Sequence, residues 1–263
     1  MPNLPTVAIV AGAWQSPDNY GPLRDALARL GYESVCQAAP STSLPHGDTD
    51  LDTDIAFVHD SVLLPLVKSG KEVIVVLHSF AGVYGGGAVK GLSRTEYAQN
   101  GEPGGVIAVV YVAGPCVPSG ISTLQLLGIG PDLVPWVSLD RSLQWQSQES
   151  TGLLSMVDPV SLLFHKLPAP EAQSWAANMK RQAIKPLQGI VPYAPFEDDL
   201  FKGHLAYLRC AEDECVHPPA QAKFIAAAGI QETDELPTSH MPWLEMADTT
   251  AEKIIAMAER VRM

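Results

Sequence analysis

Short, largely β-branched apolar runs recur along this chain, separated by longer stretches in which apolar residues return every three or four positions. The runs at 6–10, 73–77, 106–113 and 206–210 predict strands buried on both faces, and 34–38 and 230–236 predict two more. Helical spacing predicts helices over 17–30, where Leu23, Leu27 and Leu30 share a face and Gly31 stops the run, and over 52–69, with Ile55, Val58, Val62 and Leu66 inward. Pro65 should kink this second helix or mark its limit. Further helices are expected over 81–90, 218–228 and 247–261, and a loop over 41–50. Strands alternating with helices predict an α/β fold, a mostly parallel central sheet flanked by helices.

The alternation lapses between Pro115 and Lys202, a stretch that carries Trp136, Trp145 and Trp175 among many Leu and Pro. Residues 153–167 and 170–181 read as short helices there. We read 115–202 as an inserted, mainly helical cap on a core formed by 1–114 and 203–263; the competing reading is a run of ordinary helices in one domain.

Composition narrows the function. A chain of 263 residues with 46% hydrophobic and 17% charged residues suits one compact domain with an insertion. Its net charge of −12 argues against a nucleic-acid or anionic-membrane partner. No run approaches the roughly 20 apolar residues of a membrane span, and the first residues lack a signal-peptide pattern, so a cytoplasmic protein is expected. Cys36, Cys116, Cys210 and Cys215 fit no zinc pattern and are expected as reduced thiols. The glycines from Gly82 to Gly87 lack the Lys-Ser/Thr of a phosphate loop, so no cofactor or metal is expected.

The chemistry centres on residues 73–82, VIVVLHSFAG. A buried strand is followed at once by Ser79 and then by small residues that open a helix. A serine on such a sharp turn stands above the C-terminal edge of a sheet, with the N–H at the helix start facing a developing oxyanion. Against the pattern G-x-S-x-G, both glycines are replaced, by Leu77 and Ala81. An ordinary strand–helix junction is the competing reading.

A serine nucleophile needs a base, and the base needs a carboxylate to fix its tautomer. Glu212, Asp213 and Glu214 follow directly on the strand at 206–210, where ligands gather in open α/β sheets. Asp213 is the preferred acid, and a plain charged turn the competing reading. His240 lies between the last strand and the last helix, one helix and one strand beyond Asp213, so both loops return to one sheet edge. His217 is the second candidate base. For the oxyanion, the Phe80 N–H is one expected donor, and Ala13 or Trp14, in the loop after the first strand, the other. Trp14, His78, Trp136 and Met241 are candidate lining for a substrate pocket.

These residues resemble the α/β-hydrolase superfamily, and more narrowly its small-capped branch of plant hydroxynitrile lyases, plant methyl-ester esterases and small fungal hydrolases of natural-product pathways. The resemblance spans essentially the whole chain. It rests on residues 10–14 (VAGAW), on 78–82 (HSFAG), on Asp213-Glu214 before Pro218, and on Ser239-His240. It implies Ser79 as nucleophile, Asp213 as acid, His240 as base, and Ala13 with Phe80 as oxyanion donors. The family usually has His-Gly or Pro-Gly where this chain has Ala11-Gly12, and Gly in place of Ala81. Its cyanohydrin lyases often carry a lysine near the histidine, where this chain has Met241.

The expected activity is therefore a serine hydrolase cleaving an ester, lactone or thioester of a small apolar or aromatic metabolite, acting as monomer or homodimer. The same triad could serve a lyase, cyclase, dehydratase or acyl transferase, and the fold could serve as a ligand-binding receptor.

Overall fold

A computed structural model describes residues 4–43, 47–128, 145–148 and 152–263. In chain order the strands are β1 (Thr6–Val10), β2 (Ser34–Gln37), β3 (Glu72–His78), β4 (Gly105–Val112), β5 (Trp145–Gln148), β6 (Leu153–Met156), β7 (Gln182–Ala183), β8 (Leu205–Cys210) and β9 (Glu232–Leu236). Six of them form one sheet in the order β2-β1-β3-β4-β8-β9, with every neighbouring pair parallel. Alternation along the strands explains why they are apolar throughout. Val73, Val75 and Leu77 face one core while Ile74 and Val76 face the other.

Each core is closed by its own helices. On one face Leu23 and Leu27 from the helix Gly21–Arg29 pack with Ile254 and Met257 from Ala247–Arg260. On the other, Val58, Val62, Tyr84 and Phe224 pack from the helices that follow β2, β3 and β8. The stretch expected as one helix over 52–69 is Leu51–Phe57, a wider π-helical segment Val58–Leu63, and Leu64–Lys68. Pro65 offers no N–H to the preceding turn and its ring crowds that turn's carbonyl, which favours the widening just before it. Within the expected loop at 41–50, Pro40–Ser43 forms one helical turn.

The stretch between β4 and β8 is not mainly helical throughout. Strands β5, β6 and β7 build a small antiparallel sheet, and the helix expected over 153–167 is split into β6 and the short helix Pro159–Leu163. The break falls where Asp158 caps the new helix, accepting from the Ser161 N–H at 3.1 Å, and Pro159 fixes its first turn.

A buried polar cluster fastens this insertion to the core. Asp54 accepts from the Ser41 N–H at 2.9 Å and is bonded to the Ser41 hydroxyl. Gln182 of β7 donates to Ser41 Oγ at 2.7 Å and accepts from the Thr42 hydroxyl. Burial pushes the Asp54 carboxyl up to about 6, against the Ser41 bonds that favour its charge. An unfolded aspartate titrates near ~4. Between the two values the folded chain binds more protons, so this contribution is full at low pH and is lost as pH rises through about 6. Urea unfolding of the native chain and of Asp54→Asn at pH 4 and pH 7 checks this. The native chain should lose about 2 kcal/mol relative to the variant over that interval; parallel pH dependences would contradict it.

Candidate active site

Parallel register brings the functional loops together before any side chain is considered. Val10 of β1 pairs with Leu77 of β3, so the backbone at Gly12 and the turn at Ser79 emerge side by side. Ser79 has φ of 53°, in the left-handed region that non-glycine residues rarely enter. The turn is held by the Ser79 N–H on Val112 O at 3.0 Å and the Gly82 N–H on Ser79 O at 2.8 Å. Ser79 is partly exposed, while His78 and Phe80 on either side are buried.

Close approach explains the glycine at 12. A Cβ there would lie 2.9 Å from Ser79 Cβ and 3.1 Å from His78 Nδ1. The substitution of the motif's first glycine by Leu77 is matched across the helix Ala81–Ala88: a Cβ on Gly85 would lie 2.5 Å from Leu77 Cδ2. Bulk gained on the strand is thus absent from the helix that packs on it. Ala81 is fully buried, its methyl accommodated in the same packing.

The candidate acid and base arrive in the same way. Cys210 pairs with Leu236, and pairing continues past the strands through the Ala211 N–H on Leu236 O at 2.8 Å and the Glu212 N–H on Thr238 O at 3.1 Å. Asp213 Oδ2 then lies 2.7 Å from His240 Nδ1, with both side chains at most 2% exposed. Oδ1 accepts from the N–H groups of Cys215 and Val216, each at 2.8 Å, which suits a carboxylate. Of its two acidic neighbours, Glu212 is engaged by Lys166 at 2.6 Å, and Glu214 lies 3.9 Å from His217 in a half-exposed pair. Geometry thus separates the two candidate bases: His240 is buried on Asp213, and His217 stands at the surface.

Among the described residues the His240 ring is hydrogen-bonded through Nδ1 alone, and Ser79 and His240 are not bonded directly to each other. What sets His240 at the turn is His78, the residue before the serine. Its ring lies 4.7 Å from the His240 ring, and its Nε2 bonds the His240 carbonyl at 3.0 Å.

Several supporting residues carry no sequence signature. Gln221, fully buried on the helix Pro218–Ala228, bonds both backbone groups of Cys210 at 3.0 Å and donates to Val216 O at 2.7 Å, bracing the acid loop from below. A glutamine at an inward position among Ala and Phe is the one trace of it in the sequence. Lys166 joins the acid and base loops, donating to Glu212 and to Pro237 O, each at 2.6 Å. Burial and the nearby Asp213 charge push the thiols of Cys210 and Cys215 up, keeping them protonated beside the acid.

In the first loop, the Gly12 N–H is taken by Tyr20 Oη at 2.7 Å and the Gln15 N–H by Gly12 O at 3.3 Å, with Ala13 and Trp14 between them. Trp14, with φ of 61°, is fastened to the insertion: its indole donates to Leu154 O at 3.1 Å and its carbonyl accepts from the Lys180 N–H at 2.9 Å. Phe80 stands at the start of the helix Ala81–Ala88, where backbone N–H groups and the helix dipole favour negative charge. Of the other candidate lining residues, His78 and Met241 are packed in the core rather than on a pocket wall, since each is 0% exposed. Trp136 lies outside the described residues. Among the described residues no group of three His, Cys, Asp or Glu side chains could hold a metal ion, and no helix is long and apolar enough to cross a membrane.

A parallel α/β sheet carrying a serine turn, with a buried carboxylate–histidine pair at the same edge, has the layout of the α/β-hydrolase fold. The profile of the alpha/beta hydrolase family matches residues 7–253, and the chain belongs to that family. The chain is 29% identical over 176 residues to the alpha/beta hydrolase nvfD of Aspergillus novofumigatus, a match that spans 66% of each protein, just under two thirds of the relative's length. Solved structures share the fold, two of which follow. A pyrethroid hydrolase from Sphingobium faniae superimposes with a TM-score of 0.73 at 16% identity, over 98% of both chains. A methylesterase from Arabidopsis does so with a TM-score of 0.70 at 13% identity, over 97% of this chain and 99% of its own.

Replacing Gly12 by Ala should force its loop away from Ser79 and lower stability by about 1–3 kcal/mol. Urea unfolding of Gly12→Ala measures this, and an unchanged midpoint would contradict the close approach.

Proposed function

We propose that this chain is a serine hydrolase that cleaves an ester, lactone or thioester of a small apolar or aromatic metabolite through an acyl-enzyme. The observation that carries the reading is the buried Asp213–His240 pair, at 2.7 Å, set beside the left-handed turn of Ser79. Ser79 Oγ attacks the acyl carbon as its proton passes to His240 Nε2, and the Asp213 carboxylate steadies the imidazolium. The oxyanion faces the N–H of Phe80 and that of Ala13 or Trp14. As the tetrahedral intermediate collapses, the bond to the leaving oxygen or sulfur breaks and His240 gives it the proton. Water then attacks the acyl group, its proton going to His240, and the acid leaves as Ser79 regains its hydrogen.

We take residues 115–202 as the cap over this site. The tie of Trp14 to Leu154 and Lys180 supports a cap in direct contact with the oxyanion loop, and the apolar composition of this stretch supports an apolar substrate. The esterase and hydrolase names of proteins with this fold agree with the reading.

A fluorophosphonate probe tests the nucleophile, because attack by Ser79 forms an O–P bond and expels fluoride. Intact mass should show one adduct on the native chain and none on Ser79→Ala. No adduct on folded native protein would sink the proposal, and an adduct without turnover of any ester or lactone would point to non-hydrolytic chemistry. Asp213→Asn should keep the fold, leave His240 in the wrong tautomer and lower kcat on the order of 10³- to 10⁴-fold; a loss under tenfold would deny Asp213 its role.

A further inference from the structure

Tyr20 lies far from the serine in sequence, yet its hydroxyl connects the two halves of the site. Tyr20 Oη accepts from the Gly12 N–H at 2.7 Å and lies 2.7 Å from His78 Nδ1, and His78 Nε2 lies 3.0 Å from the His240 carbonyl. The bonding partners fix the direction of every hydrogen. A carbonyl can only accept, so His78 carries its proton on Nε2. A backbone N–H can only donate, so Tyr20 accepts from Gly12; in the neutral His78 ring with its proton on Nε2, Nδ1 is left as the acceptor and takes the Tyr20 hydroxyl hydrogen. The chain runs from the oxyanion loop through Tyr20 and His78 to the backbone of the base, with no donor or acceptor unmatched along it.

Packing holds both rings in place. Trp243 lies 4.8 Å from the Tyr20 ring and 4.8 Å from the His78 ring, and its indole donates to Asn19 O at 2.8 Å. Tyr20 and His78 are fully buried, and burial drives the phenol up and the imidazole down, so both stay neutral. A neutral strut suits this position, because it adds no fixed charge beside a reaction that makes an oxyanion and an imidazolium.

We propose that Tyr20 and His78 are positioning residues, a buried hydrogen-bonded strut that sets the oxyanion loop and His240 relative to Ser79. This rests on the serine-hydrolase reading above. The role is distinct from substrate contact, since neither side chain reaches the surface.

The test is the rate of fluorophosphonate labelling, separated into the limiting rate at saturating probe and the probe concentration giving half that rate. Tyr20→Phe removes one oxygen and keeps the ring on Trp243. The limiting rate should fall roughly ten- to a hundredfold, the range expected when buried partners lose their hydrogen bonds, while the half-saturating concentration shifts less than about twofold. His78→Gln, which can still accept at one atom and donate at the other, should retain more activity than His78→Leu, a difference that packing alone does not produce. If His78→Leu fails to fold, Tyr20→Phe against the native chain decides the matter. Native protein that labels at Ser79 together with a Tyr20→Phe variant of unchanged limiting rate would overturn the strut and leave the hydrolase reading intact. Native protein that does not label would defeat the hydrolase reading first.

Discussion

The backbone of Ser79, turned into the left-handed region at the end of β3, is the constraint on which the site depends. That conformation lifts the hydroxyl off the sheet and starts the helix with Phe80 next to it. An L-residue adopts it only under compulsion, and the compulsion comes from every side. The strand beneath is locked between β1 and β4, the Val112 carbonyl holds the Ser79 N–H, and Gly12 approaches so closely that any Cβ there would collide with the serine Cβ. Strain at one residue is therefore carried by a sheet of six strands.

The electrostatics follow a division of labour. At the sheet edge Asp213 accepts from two backbone N–H groups and pairs with His240, and the polar groups around that pair are kept neutral. Tyr20, His78, Cys210 and Cys215 are all driven by burial toward their uncharged forms. A single oriented carboxylate, that of Asp213, then faces His240 Nδ1. The stretch between β4 and β8 takes part in this order from outside, through the bond of Trp14 to Leu154 and through Lys166, which joins the loops of Asp213 and His240.

Much of this was legible in the sequence because it depends on short-range pattern. The apolar runs gave every strand of the main sheet, and the serine between such a run and a helix of small residues marked the turn. Asp213 and His240 stood out through their positions after β8 and β9. Less visible was whatever depends on contacts between distant segments. Leu153 to Met156 looked helical because Leu favours either state, and only pairing with β5 and β7 makes it a strand. His78 and Met241 were placed on a pocket wall by adjacency to catalytic positions, whereas the alternation of side chains at the strand end and packing against Trp243 turn them into the core. Gln221 and Tyr20 act through hydrogen bonds to segments that no local pattern connects with them.

A crystal structure of the phosphonylated protein tests the central claim most directly. The account predicts phosphorus on Ser79 Oγ, with the phosphoryl oxygen about 2.7–3.1 Å from the Phe80 nitrogen and from that of Ala13 or Trp14. Phosphorus on another residue, or a phosphoryl oxygen pointing away from both loops, would contradict it.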